Sequence, residues 1–272
     1  MGIEAALLTR PVWQGEHLDF SDARILSAPL QELCACDCLA AEVSKIEHAL
    51  KSADPLWLIF TSPASVDAFF LWLARHPNIH AAFKNQGAGL LRLAAVGEGT
   101  RDKIFHHPEA ALFPGVKSQE IVVGEDAAHA DARSLLAAIK KSSLNVSAQN
   151  ALLIQGKESR PTLHDGLIES GFKVRTLSLY ERITVNWNKA IYERLKAAGP
   201  QTIAVVVTSS QAVDLALEQM KKAGVEPLAQ VWATHHQTIA GLLKQKGWGP
   251  VLKVRLAPEA LARDLFEHQS TW

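Results

Sequence analysis

The sequence has few cysteines and no excess of charge of either sign, and both absences narrow the classes of protein it can be. Only 3 of its 272 residues are cysteine, too few for the dense disulfide framework of small secreted domains. Lysine and arginine total 28, and aspartate and glutamate also total 28, so the basic surplus typical of nucleic-acid-binding proteins is absent. We therefore expect no nucleic-acid partner.

Long apolar runs are absent as well. None approaches the roughly 20 residues that a membrane-spanning helix needs. The first ten residues contain a short apolar stretch but lack the basic start and the small-residue cleavage site of a secretory signal. The sequence therefore predicts a cytoplasmic protein with no membrane partner.

Complete metal and nucleotide signatures are lacking too. Cys34, Cys36 and Cys38 would share one face of a strand, but with no histidine nearby they supply only three of the four ligands of a structural zinc site. We favour a packing role, with metal binding or oxidation as the alternative. Gly97-Glu98-Gly99-Thr100 offers two glycines of a dinucleotide fingerprint but not the third. We expect no metal and no organic cofactor.

Short apolar runs recur along the chain, each followed by polar or small residues and then by a helical pattern. Such continuous apolar runs alternating with helices are typical of parallel strands covered on both faces. The carboxyl ends of parallel strands share one edge of the sheet, where ligands bind. The sequence thus predicts an α/β fold with polar residues at that edge. The runs are residues 5–8, 56–60, 93–96, 151–154, 203–207 and 229–233.

Two segments resemble copies of one unit. Thr61-Ser62-Pro63-Ala64-Ser65-Val66-Asp67 and Thr208-Ser209-Ser210-Gln211-Ala212-Val213-Asp214 each follow an apolar strand and open an amphipathic helix. Further on, each copy reaches a second strand and another threonine turn, ending at Thr100 or Thr238. This self-similarity favours two domains of like fold.

Two extended segments, residues 27–37 and 176–184, interrupt the alternation of strands and helices. If both are linkers, the middle of the chain forms one domain and the two ends together form the other. We therefore predict a discontinuous domain of residues 1–36 plus 180–272, and a second domain of residues 39–176.

The paired Thr-Ser turns have two readings. A hydroxyl at a strand-to-helix turn can cap the helix by accepting from its free N–H groups. The same helix N-termini bind carboxylates, so several turns around one cleft would suit a ligand with many carboxylates. The two roles can coexist. Tyr180, within the second extended segment, is either a packing residue or a proton donor beside a cleft.

The ordered motifs resemble the uroporphyrinogen-III synthase family. The resemblance spans nearly the whole chain and depends on order and spacing, because each motif is short. The matching segments are Leu8-Thr9-Arg10-Pro11, Ile59-Phe60-Thr61-Ser62-Pro63, Val96-Gly97-Glu98-Gly99-Thr100, Leu153-Ile154-Gln155-Gly156-Lys157 with Arg160, Tyr180-Glu181-Arg182, Val207-Thr208-Ser209 and residues 238–247.

The resemblance implies a bilobed α/β fold, in which two flavodoxin-like parallel-sheet domains are joined by a two-strand linker. It implies a cofactor-free lyase of heme biosynthesis. Its substrate would be hydroxymethylbilane, a linear tetrapyrrole, which the family cyclises to uroporphyrinogen III in the interdomain cleft. The last pyrrole ring is inverted through a spiro intermediate. We further expect a monomer.

The resemblance also implies roles for individual residues. Tyr180 matches the tyrosine that assists loss of the substrate hydroxyl as an acid. His236 stands where the family usually has glycine, so its side chain would narrow the cleft or add a cationic contact. The implied substrate-binding residues are Arg10, Thr61, Ser62, Thr100, Arg160, Thr208, Ser209, His236 and Thr238.

A non-catalytic protein is the alternative. Two like α/β lobes around a cleft also describe small-molecule-binding proteins, and fold does not separate these from enzymes. His236 leaves room for a regulatory homologue of the synthases.

Overall fold

The structure is a computed structural model that describes residues 2–16, 18–37, 40–51, 55–85, 90–113, 117–124, 131–142 and 149–272. Cys38 lies outside the described residues. The strands are β1 (Ala5–Leu8), β2 (Val12–Trp13), β3 (Ile25–Ser27), β4 (Gln31–Ala35), β5 (Leu56–Phe60), β6 (Leu91–Ala95), β7 (Val122–Val123), β8 (Asn150–Gly156), β9 (Lys173–Thr184), β10 (Ile203–Val206), β11 (Val231–Thr234) and β12 (Val251–Lys253). The helices are α1 (Ala40–Lys51), α2 (Pro63–Ala74), α3 (Pro77–Lys84), α4 (Glu98–Phe105), α5 (Ala132–Ser142), α6 (Thr162–Glu169), α7 (Lys189–Ala197), α8 (Ser210–Ala223), α9 (Gln237–Gln245) and α10 (Pro258–Phe266).

The first compact unit comprises Met1–Leu33 and Arg182–Trp272. Its sheet has the strand order β12-β11-β10-β1-β3, and neighbouring strands run parallel. Leu7 of β1 packs in an apolar cluster with residues of α7, α8 and α9, whereas Leu8 packs in a cluster with residues of α10. Because successive side chains serve opposite faces and both faces are covered, these strands are continuous apolar runs.

The second compact unit comprises Cys34–Glu181. Its parallel strands have the order β7-β6-β5-β8-β9. On one face, Trp57 of β5 packs with Leu135 of α5 and Leu163 of α6. On the other face, the ring of Phe60 meets that of Phe69 in α2 edge-on, with 5.4 Å between ring centroids. This sheet, too, is buried on both faces.

The chain passes between the units once within β4 and once within β9. These strands are neighbours. The N–H of Cys36 donates to the carbonyl of Leu179 at 2.8 Å, and the N–H of Val185 donates to the carbonyl of Leu30 at 3.1 Å. Partner numbers run in opposite directions, so the two strands are antiparallel. β2 pairs with β4 and extends this sheet. The predicted α/β fold class is confirmed.

Strand order reverses once in each parallel sheet, and the reversals identify where ligands should bind. In the first unit the chain moves outward from β1 to β3 and, on the other side, from β10 to β12. In the second unit it moves outward from β5 to β7 and, on the other side, from β8 to β9. Open α/β sheets bind ligands outside the carboxyl ends of the strands at such a point. The residues that follow β1 and β10, and those that follow β5 and β8, therefore form the candidate binding edges.

No helix in the described part of the chain is long and apolar enough to span a membrane.

Candidate active site

Thr61 and Ser62 follow β5 and organise the binding edge of the second unit. The Thr61 hydroxyl donates to the carbonyl of Ile154 in β8 at 3.2 Å, so it links the two strands at the reversal point. The Ser62 hydroxyl caps α2 by accepting from the N–H of Ser65 at 3.1 Å. In return, the Ser65 hydroxyl oxygen accepts from the N–H of Ser62 at 3.2 Å. The Ser62 hydroxyl thus has the capping role that the sequence predicts, whereas the Thr61 hydroxyl has a different structural role.

The phenol of Tyr180 is held at the start of α2. Its Oη lies 3.0 Å from Oγ of Ser62, and either hydroxyl can be the donor. Tyr180 is 1% exposed, although it belongs to the strand β9 that joins the units. The N-terminus of a helix carries partial positive charge. A negative charge developing on the phenol oxygen would therefore be stabilised both by the Ser62 hydroxyl and by the helix.

A cation lies beside Tyr180 along the sheet edge. The N–H of Lys157, the first residue after β8, donates to the carbonyl of Tyr180 at 2.8 Å. Its ammonium lies 3.0 Å from a carboxylate oxygen of Glu181. The pKa of Lys157 is raised, chiefly by this hydrogen bond to Glu181 and further by the thiol of Cys36. Lys157 is therefore a fixed positive charge at neutral pH.

The remaining predicted residues of the second unit are Thr100 and Arg160. Thr100 lies in the first turn of α4 and is 4% exposed, so packing covers most of its surface. Arg160 lies in the turn between β8 and α6 and is exposed. An exposed guanidinium there is available to a carboxylate ligand.

The first unit carries a similar edge. Arg10 follows β1 and is exposed. Thr208 and Ser209 follow β10, and the Ser209 hydroxyl caps α8 by accepting from the N–H of Ala212 at 3.1 Å. Ser209 therefore occupies the position in this unit that Ser62 occupies in the other, at the start of the helix after the central strand. Ser62 differs from Ser209 in that its hydroxyl also forms a hydrogen bond with the phenol of Tyr180.

His236 is the N-cap of α9. Its Nδ1 accepts from the N–H of Thr238 at 3.2 Å, and its own N–H donates to the Thr234 hydroxyl oxygen at 3.3 Å. The imidazole thus takes the place that a serine hydroxyl has at the caps of α2 and α8. The pKa of the neighbouring His235 is lowered by burial and then by the charge of His236. Both His236 and Thr238 are exposed.

The structure divides the predicted site residues between the two units. In the second unit, the hydroxyls of Ser62 and Tyr180 are hydrogen-bonded to each other, and Thr61 precedes Ser62 in the chain. Sequence reasoning missed the part played by Ser65. The Ser-x-x-Ser spacing of a capping box could have revealed Ser65. The first unit holds Arg10, Thr208, Ser209, His236 and Thr238, and the second also holds Thr100 and Arg160.

The cysteines form no metal centre in the part of the chain that the structure describes. No group of three or more histidine, cysteine, aspartate or glutamate side chains there could hold a metal ion. Cys34 and Cys36 are buried and are not in a disulfide.

Parallel α/β sheets with polar side chains at the reversal points are typical of ligand-binding α/β proteins. A model of the family described as HEM4, uroporphyrinogen-III synthase HemD, matches residues 16–262. The chain therefore belongs to the uroporphyrinogen-III synthase family, whose members are lyases of heme biosynthesis. A comparison with curated protein sequences finds no significant match.

Solved structures of the same description share the fold. A uroporphyrinogen-III synthetase from Helicobacter pylori is 15% identical with a TM-score of 0.57, over 96% of this chain and 97% of that one. A mutant uroporphyrinogen III synthase from the extremely thermophilic bacterium Thermus thermophilus is 17% identical with a TM-score of 0.51, over 88% and 86%. At these identities the likeness concerns the fold.

Proposed function

We propose that this chain cyclises hydroxymethylbilane to uroporphyrinogen III, with Tyr180 as the general acid. The family match supports the reaction. The observation that carries the residue assignment is the buried phenol of Tyr180, whose oxygen lies 3.0 Å from the hydroxyl of Ser62 at the start of α2.

In the proposed mechanism, Tyr180 protonates the departing hydroxyl of the first ring's methylene group. Water leaves, and an electrophilic azafulvenium cation, the protonated azafulvene, remains beside the phenolate. The Ser62 hydroxyl donates to the phenol oxygen, which directs the phenol proton towards the substrate and stabilises the phenolate that forms. The substituted position of the last ring then attacks, and the spiro intermediate opens and recloses with that ring inverted. The proton that the ring releases on reclosure returns to the phenolate of Tyr180. Because the substrate is itself reactive, holding its ends together contributes much of the acceleration.

Substrate carboxylates would be held by helix N-termini and nearby side chains on both units. The starts of α2, α4, α8 and α9 offer N–H groups to anions. Arg10 and Arg160 are exposed guanidinium groups suited to bidentate contact with a carboxylate. The hydroxyls and His236 complete the set, which comprises Arg10, Thr61, Ser62, Thr100, Arg160, Thr208, Ser209, His236 and Thr238.

This proposal includes a domain arrangement and a setting. The two lobes are the compact units Met1–Leu33 with Arg182–Trp272 and Cys34–Glu181. The protein acts as a monomer in the cytoplasm without a metal or organic cofactor. Neither Cys34 nor Cys36 is in a disulfide, which suits a compartment in which thiols stay reduced.

The test is incubation with freshly prepared hydroxymethylbilane, followed by chromatographic separation of the type I and type III isomers. We expect type III product from the parent protein and from the control variant Tyr192→Phe. This variant also loses a phenol hydroxyl, but that hydroxyl lies in the first unit and donates to Gln219. We expect a large loss in Tyr180→Phe. Type I product alone, at the rate without protein, would contradict the proposal and favour a non-catalytic binding homologue.

A further inference from the structure

Gly156 contacts the ring of Tyr180 so closely that no other residue fits there without movement. A Cβ added to Gly156 would lie 2.8 Å from both Cε2 and Cζ of Tyr180, and 3.2 Å from its Oη. Contacts under 3.0 Å are not tolerated by real Cβ atoms. The atoms in the way belong to a ring that is 1% exposed, so the ring cannot simply swing into solvent.

The backbone at position 156 gives no other reason for glycine. The glycines with positive φ are at positions 15, 171, 224 and 247 among the described residues, and Gly156 is not one of them. Gly156 is the last residue of the buried strand β8, and the ring of Tyr180 fills the space that a side chain would take. Glycine is therefore suited to position 156 because it has no side chain.

An irregularity in strand pairing brings the tyrosine to this position. Along β8 and β9 the register is regular as far as Gln155, which pairs with Ser178. The next residue, Gly156, pairs with Tyr180 rather than with Leu179. Bulges of this kind re-aim side chains next to active sites. Here the shift sets the ring of Tyr180 against Gly156 while its hydroxyl reaches Ser62.

We propose that Gly156 is a positioning residue for Tyr180, because the absence of a side chain at 156 leaves the space in which the phenol ring lies. Ser62 then fixes the hydroxyl end, and the bulge fixes the backbone end. The catalytic effect of Gly156 rests on the proposed function, in which Tyr180 is the acid. Its effect on the position of the ring does not depend on that function. A displaced ring would carry the phenol away from Ser62 and from the departing hydroxyl, and misplacement of about 1 Å can cost on the order of a hundredfold in rate.

The decisive variant is Gly156→Ala, compared with Gly241→Ala as the control. Gly241 lies in α9, where an added Cβ meets nothing within 4 Å. We expect Gly156→Ala to lower kcat roughly ten- to a hundredfold, on the scale of a lost general acid, with little change in KM. A residue that served substrate binding would instead raise KM. Gly241→Ala should leave both constants unchanged.

A double-mutant cycle separates positioning from a general disturbance. In a Tyr180→Phe background the donor is already absent, so Gly156→Ala should lower kcat little further. Effects that simply multiply would show that Gly156 acts independently of Tyr180, and would overturn the proposal.

A structural readout makes the positioning testable without any activity. The chain has 2 tyrosines, Tyr180 and Tyr192, so ring-labelled tyrosine gives two sets of nuclear magnetic resonance signals. Gly156→Ala should shift those of Tyr180 and leave those of Tyr192 in place. Unmoved Tyr180 signals would overturn the proposal even if the parent protein proved inactive. Moved signals with full kcat would also overturn it, but would leave the proposed activity intact.

If Gly156→Ala alone does not fold, the contact can still be tested by relieving it. Tyr180→Leu removes Cε2, Cζ and Oη, the atoms that a Cβ at position 156 would meet. The double variant Gly156→Ala/Tyr180→Leu should therefore fold, with the denaturation midpoint of Tyr180→Leu alone. A double variant that also fails to fold would show that glycine is needed for another reason, and the proposal would be wrong.

Discussion

The hydrogen bond between Ser62 and Tyr180 can be measured against a matched serine in the same chain. Ser62 and Ser209 each cap the helix that follows the central strand of a parallel sheet, and each accepts a backbone N–H at 3.1 Å. Only Ser62 also meets a phenol, at 3.0 Å. Replacing each serine by alanine therefore removes the same cap, and in one case an additional bond.

The expected magnitudes follow from these contacts. Loss of a serine N-cap costs about 0.5–2 kcal/mol of stability, so Ser209→Ala should lower the free energy of unfolding by about 1 kcal/mol. A typical hydrogen bond contributes a further 0.5–1.5 kcal/mol or so, so Ser62→Ala should cost about 1.5–2.5 kcal/mol. The difference between the two variants is the contribution of the phenol contact.

Urea denaturation followed by circular dichroism gives these free energies, and a cycle with Tyr180→Phe isolates the bond. In the Tyr180→Phe background, Ser62→Ala should cost only what Ser209→Ala costs. If Ser62→Ala costs the same whether residue 180 is tyrosine or phenylalanine, the two hydroxyls are not coupled. The argument that Ser62 orients the phenol would then be refuted.

Three further predictions concern activity and pH. Tyr180→Phe should slow formation of the macrocycle roughly ten- to a hundredfold, the low end of general-acid effects, with little change in substrate affinity; full activity with full type III selectivity would leave Tyr180 as a packing residue. Thr208→Ala should act more weakly, raising KM or releasing type I isomer in the product analysis, because backbone N–H groups share the load. Burial lowers the pKa of His107 and His235 below the ordinary 6.5, so the unfolded chain binds more protons and the free energy of unfolding should fall as pH drops below that value. His107→Gln should flatten this dependence in denaturation curves taken across that range, and an unchanged slope would contradict it.

Much of the local structure could be predicted from the sequence, because it depends on short-range patterns. The apolar runs at residues 5–8 and 56–60 are β1 and β5 with the same bounds. Both strands are buried on each face, so every residue in them is apolar and the run can be recognised from the sequence alone. The caps at Ser62 and Ser209 also follow from residue type beside a helical pattern, since a cap bonds to residues only three positions on.

Other strands gave weaker signals. The two-residue strand β7 and the three-residue strand β12 were not predicted, since such short segments offer no periodicity. The run at residues 229–233 became strand only from Val231, because Pro227–Ala229 forms a turn of 3-10 helix before it. In each case pairing with a neighbouring strand, rather than local composition, decides where the strand lies.

The contacts of Tyr180 were decided by the tertiary structure alone. From its sequence neighbours, the tyrosine could be either a packing residue or an acid. Its hydroxyl meets Ser62, 118 positions away in the chain, and its ring lies against Gly156 across a shifted strand register. Short-range pattern determined that strands and capped helices form, because each depends on residues within a few positions. Which capped helix meets which strand, and with what register, depends on packing between distant segments, and only the folded chain specifies it.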